Sequence, residues 1–69
     1  MKKTLLDNSQ VRDLLSEEAY VKYSRSMRFV YLVCKSTGMY FQVEDINDNT
    51  LLITTSAAGL EKYFKEVYR

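Results

Sequence analysis

Between Arg28 and Lys35 every position is apolar: Phe29, Val30, Tyr31, Leu32, Val33 and Cys34. β-Branched and aromatic residues dominate this run, which predicts a strand over 28–35. Ser36, Thr37 and Gly38 follow. A three-residue loop with glycine last suits a type I turn plus a G1 bulge, where the glycine takes positive φ. Over 39–46 the pattern alternates, with Met39, Phe41 and Val43 on one face and Tyr40, Gln42 and Glu44 on the other. This predicts a second strand. Asn47, Asp48 and Asn49 form a turn cluster, and the β-rich residues 50–55 predict a third strand. Connections this short imply an antiparallel meander.

The flanking segments have helical character. Around the helical wheel, Val11, Leu14 and Leu15 fall on one side, while Ala19, Tyr20, Tyr23 and Met27 fall on another. One straight helix with a single apolar stripe cannot do this. Ser16 stands at the switch as a favoured N-cap, and Glu17 and Glu18 suit a first helical turn. The segment therefore predicts a short helix at about 9–15 and a second at about 17–27, with a kinked single helix as the alternative. A last helix is predicted over 56–68, capped by Thr55 or Ser56. It presents Ala57, Leu60, Phe64 and Val67 to the sheet, with Tyr63 and Tyr68 at the flanks. The expected fold is a single α+β domain spanning 1–69. It has a three-stranded antiparallel meander with an N-terminal helix, or two short ones, and a C-terminal helix, in the order α(α)βββα.

A chain of 69 residues leaves a thin stability margin, because a domain of this size buries only about 60% of its unfolded surface. Disulfides and metals are the usual remedies. Cys34 is the one cysteine and histidine is absent, so neither an intrachain disulfide nor a zinc site can form. Self-association remains. Net charge is +1, which gives no overall pull toward nucleic acid or an anionic membrane. No apolar run is long enough to span a bilayer, and the signal-like start Met1, Lys2, Lys3, Thr4, Leu5, Leu6 runs into Asp7 and Asn8. A lone cysteine and no export signal point to the cytoplasm.

Catalytic machinery is not recognisable. Without histidine the commonest general base is missing, and nucleophile–histidine pairs are impossible. Cys34 in mid-strand reads as a small core hydrophobe. Asp45, Asn47 and Asn49 alternate as the start of a calcium loop does, but Thr50 and Ser56 replace the glycine and glutamate such a loop requires. With only Gly38 and Gly59, no phosphate-cradling loop exists. The expectation is a protein that is not an enzyme and takes no cofactor or metal.

Both faces of the 28–35 strand are apolar, whereas a strand with one wet face alternates with polar residues. Register decides which face meets the helices. The Ser36–Gly38 loop favours Phe29, Tyr31 and Val33 beside Phe41 and Val43. A two- or four-residue loop reverses that. In either case the far face should combine apolar residues of this strand with Tyr40 and Leu52. Three occupants are open: the first helix, a second copy, or another protein. Six tyrosines lean toward an interface. The order and length also resemble the layout of the double-stranded RNA-binding domain. In that family the last helix opens with lysines, and here 56–61 has none. Tyr31 and Tyr40 could instead stack bases, with Arg28 and Lys35 beside them, although Glu44 and Asp45 would repel phosphates.

These residues together suggest a non-enzymatic protein-interaction module, as a homodimer or with a protein partner. Tyr31, Tyr40, Leu52, Arg28 and Lys35 are the candidate partner-binding residues. Free-standing chains of this size are common among phage and mobile-element accessory proteins. An inhibitor that occludes a host protein's surface is therefore one concrete form. A small RNA- or DNA-binding domain is the alternative.

Overall fold

The computed structural model of the chain describes residues 1–67. The expectations for Tyr68 and for the side chain of Val67 fall outside the described residues. The elements run β1 (Lys2–Leu5), α1 (Asn8–Leu14), α2 (Glu17–Arg25), β2 (Phe29–Lys35), β3 (Gly38–Glu44), β4 (Thr50–Thr54) and α3 (Ala57–Val67). The fold is α+β, and its sheet is antiparallel with strand order β1-β2-β3-β4.

The sheet has four strands, not the expected three. The added strand is β1, which pairs Lys2 with Cys34, Lys3 with Val33, Thr4 with Leu32 and Leu5 with Tyr31. The Leu6 N–H continues the contact to the Val30 carbonyl at 2.9 Å. Four residues, two of them lysines, show no strand-like apolar run. Such a segment forms a strand only because β2 offers it an open ladder. The chain therefore also departs from the αβββα layout of the RNA-binding domain.

The N-terminal helical segment divides in two at Leu15, whose backbone is extended. Asp7 caps α1 in a capping box. Its carboxylate accepts from the Gln10 N–H at 2.9 Å, and the Gln10 side chain accepts from the Asp7 N–H at 2.9 Å. Ser16 caps α2, its hydroxyl accepting from the Ala19 N–H at 3.2 Å. The extended residue at the joint turns α2, so that Val11 and Leu15 meet one core with Ala19 and Tyr23; Met27, expected on that second face, lies beyond the end of α2 and is 66% exposed. At the far end of α2 the Ser26 N–H and hydroxyl both donate to the Tyr23 carbonyl. Met27 then reverses the chain at φ 54°.

The hairpin between β2 and β3 fixes which face is buried. Lys35 and Gly38 are ladder partners, so the loop is Ser36 and Thr37 alone. Neither has positive φ, which excludes the primed turns that two-residue hairpins favour. Gly38 absorbs the mismatch at φ 141°, a conformation L side chains rarely adopt. This register sets Val30 opposite Val43 and Leu32 opposite Phe41. The three-residue loop expectation is thereby corrected: Val30 and Leu32, not Phe29, Tyr31 and Val33, join Phe41 and Val43.

All three helices lie on that one face. Leu6, Val11, Leu15, Ala19, Tyr23, Val30, Val43, Leu60 and Phe64 form a single buried cluster. Phe64 is its centre, with Tyr23 and Tyr63 set edge-on against it at 5.4 and 5.0 Å between ring centroids. Tyr20, Tyr23 and Tyr63 are thus packing residues, which removes half the tyrosines from the interface argument. The first helix is also excluded as the occupant of the other face, since Val11 and Leu15 belong to this core.

Candidate functional site

The face away from the helices carries Lys3 and Leu5 from β1, and Phe29, Tyr31, Val33 and Lys35 from β2. It continues through Tyr40, Gln42 and Glu44 of β3 and Ile53 of β4. Among the described residues no helix covers it. Leu5 is 53% exposed, Phe29 38% and Ile53 59%, so the apolar residues stand around the rim of this face.

Its centre is already tiled by the chain's own side chains. Val33 is 1% exposed although no second layer lies over it. Its ladder neighbours are Lys3 and Tyr40, both long enough to close over a valine. The Lys3 ammonium sits 4.4 Å from the Tyr31 ring centroid, and the Lys35 ammonium 5.3 Å from that of Tyr40. Cations over ring faces gain from the ring quadrupole.

Glu44 gives the centre its negative charge. It is buried at 3% exposure and forms a salt bridge with Lys3. Gln42 Nε2 donates to the same carboxylate oxygen at 2.6 Å and reaches Thr50 Oγ1 at 3.3 Å. The carboxylate holds the Lys3 pKa above its ordinary value, chiefly through the hydrogen bond between them. Asp45 does not contribute. It turns into its own loop, where Oδ1 accepts from the N–H groups of Asn47 and Asn49, and these bonds lower its pKa.

Of the five candidate residues, three come together. Tyr31, Tyr40 and Lys35 share the open face. Leu52 pairs with Val43 and packs against the core from the helical side. The reason is the β4 register, which sends Ile53 to the open face instead. Arg28 precedes β2 and is held toward the helices. Its Nη1 donates to the Ser26 carbonyl at 3.0 Å, and its Nε reaches the Tyr63 hydroxyl at 3.5 Å. Lys3 and Leu5 were not anticipated because β1 was not read as a strand, and Ile53 because Leu52 was assigned to this face in its place.

Around one end of the sheet the open face continues into a cleft lined by Leu5, Asp7, Tyr23, Met27, Arg28 and Phe29. Met27 is 66% exposed there. Among the described residues no group of three or more acidic or cysteine ligands could hold a metal. Cys34 is only half-buried, not sunk in the core as expected. Its ladder neighbours are Lys2 and the exposed Met39, near the hairpin tip and outside the core cluster. No helix among the described residues is long and apolar enough to cross a membrane.

In comparisons with known proteins, no family model matches this chain, and neither a curated protein nor a solved structure matches it.

Proposed function

We propose that the protein is a non-enzymatic interaction module that binds another protein across the open face of its sheet. The observation that carries this reading is the composition of that face. Leu5, Phe29 and Ile53 form an exposed apolar rim, and Tyr31 and Tyr40 lie half-buried between them. Aromatic and aliphatic residues around a neutralised centre are the chemistry of a protein-binding patch. The Lys3–Glu44 pair leaves no uncompensated buried charge for a partner to desolvate. Binding of this kind would act by occluding a surface of the partner, as an inhibitor does.

A nucleic-acid reading would use Tyr31 and Tyr40 as stacking platforms. The proximity of Lys3 and Lys35 favours it electrostatically, but the same ammonium groups occupy the ring faces that bases would need. Displacing both is a cost that a protein partner docking on the aliphatic rim avoids.

The test is affinity capture from nuclease-treated lysate with wild type, Tyr40→Glu, Tyr31→Glu and Met39→Glu. Met39 lies near the same hairpin tip on the opposite face. A protein retained by wild type and Met39→Glu but lost with both tyrosine variants is the expected result. Retention that the tyrosine variants leave unchanged overturns the reading. Salt-sensitive binding of RNA or DNA by the purified chain would replace it with the second one.

A further inference from the structure

The two edges of the sheet are built differently. β1 is short and carries Lys2 and Lys3, and charged residues on an edge discourage another strand from joining. β4, at the opposite edge, reads Thr50, Leu51, Leu52, Ile53, Thr54, and the uncharged run continues to Leu60. Among the described residues β4 has a strand neighbour on one side only. Leu51 and Ile53 are 37% and 59% exposed.

The strand is also nearly palindromic about Leu52, with a threonine at each end and an aliphatic residue next to it. Antiparallel pairing with itself about a two-fold axis at Leu52 sets Leu51 opposite Ile53 and Leu52 opposite its own copy, while the register shift turns Thr50 to the face opposite Thr54. Aliphatic pairs directly opposite one another are favourable, and no like charges meet. Ile53 points to the open face and Leu52 to the helices. Leu51, next to Leu52, is the residue that the β3–β4 register passes over, and it is 37% exposed. Four aliphatic side chains from two copies would therefore bury one another across the seam.

We infer that the protein self-associates through its β4 edges, two copies joining into one continuous eight-stranded antiparallel sheet. The register shift at the Val43/Glu44 step disturbs the Thr50 end of the strand, so the regular seam is short and the dimer is concentration-dependent. The seam takes Ile53 from the rim of the open face and leaves the Tyr31 and Tyr40 centre uncovered, and this inference does not depend on the partner-binding reading.

Sedimentation equilibrium from micromolar to millimolar concentration tests it. The mass should rise from 8.1 kDa toward twice that value, while Ile53→Lys stays monomeric and Tyr40→Glu still dimerises. Register is tested in a Cys34→Ser background by oxidising a mixture of Leu51→Cys and Ile53→Cys chains. Residues directly opposite in an antiparallel pair lie within disulfide reach, so the mixed disulfide should outweigh both symmetric ones. A wild-type chain that is monomeric throughout overturns the inference. So does a dimer that is lost in Tyr40→Glu or gives no preference for the mixed disulfide.

Discussion

Lys3 on β1 reaches across β2 to form a salt bridge with Glu44 on β3, passing over the Tyr31 ring as it does so. One side chain thus fastens the outermost, four-residue strand to the middle of the sheet. It also compensates a carboxylate that is almost fully buried. Removing one partner of such a pair leaves a buried charge or dipole without compensation, whereas removing both does not. Lys3→Ala should lower the melting temperature by roughly 5–10 °C. The double variant Lys3→Ala with Glu44→Gln should recover part of that loss, since the Gln42 amide can still bond a neutral acceptor. Thermal unfolding of the two single variants and the double variant measures the coupling. Strictly additive losses would show that the bridge does not fasten β1.

Met27 ends α2 in the left-handed region, at φ 54°. That position after a helix usually belongs to glycine, because a Cβ there costs about 1–2 kcal/mol. Met27 is largely exposed and gives up little burial if replaced. Met27→Gly should therefore raise stability by about 1 kcal/mol. Met27→Val should lower it, since a β-branched residue fits positive φ worst. Denaturant midpoints for the two variants check the order. The methionine contributes apolar surface to the cleft beside Leu5 and Phe29, so Met27→Gly should also weaken any partner that uses this end of the open face.

The α+β fold, the break between α1 and α2 and the β2–β3 pairing were all legible from the chain, because they rest on strong local signals. Those signals are the two displaced apolar faces around Ser16, the unbroken run from Phe29 to Cys34, and a glycine before Met39. Two features were not. β1 has no intrinsic strand signal, and it exists through tertiary pairing that only the complete sheet supplies. The face assignment depends on loop parity, and Ser36–Gly38 is compatible with either count until the Lys35–Gly38 pairing is seen. One residue of register exchanges every side chain between faces. Tyr31 and Tyr40 share a face only because the loop has two residues; the favoured three-residue count set Tyr31 beside Phe41, on the face opposite Tyr40. Leu52 was lost because the β4 register returns it to the core.

Gly59 lies in the first turn of α3, against the end of β4. A Cβ placed on it would lie 2.1 Å from Thr54 Oγ1 and 2.8 Å from Thr54 Cβ. In an open helix Gly→Ala gains about 1 kcal/mol. Here the nearest obstacles include an atom that side-chain rotation cannot move, so the clash outweighs that gain. Gly59→Ala should destabilise by about 1–3 kcal/mol. Thr54→Ala should restore part of the loss, since it removes the closest atom. Chemical denaturation of the single and double variants tests this. A stabilised Gly59→Ala would show that α3 is free to lift away from β4.

Stability should fall away on both the acid and the alkaline side. Asp7 has a pKa below its ordinary 3.8 because it accepts from the Gln10 N–H and the Ser9 hydroxyl. Asp45 lies below the same value because of the Asn49 and Asn47 N–H groups. Glu61 lies below its ordinary 4.5 because it accepts the Ser16 hydroxyl at 2.5 Å and the Ser16 N–H at 2.7 Å. A group whose folded pKa is depressed binds its proton more readily in the unfolded chain. Its contribution is therefore complete above the unfolded value and lost as pH falls through the folded one. On the alkaline side the signs reverse. Burial raises the Tyr23 pKa above its ordinary 10.0, and the Glu44 hydrogen bond raises that of Lys3 above 10.5. Both groups lose their protons more readily once unfolded, so their contributions hold below those values and fade as pH rises past them. Melting temperature should thus be flat across neutral pH, dropping below about pH 4 and above about pH 10. Glu61→Gln should flatten the acid limb and Tyr23→Phe the alkaline one. An acid limb unchanged by Glu61→Gln would show that the bond from Glu61 to Ser16 does not help hold α3 to the start of α2.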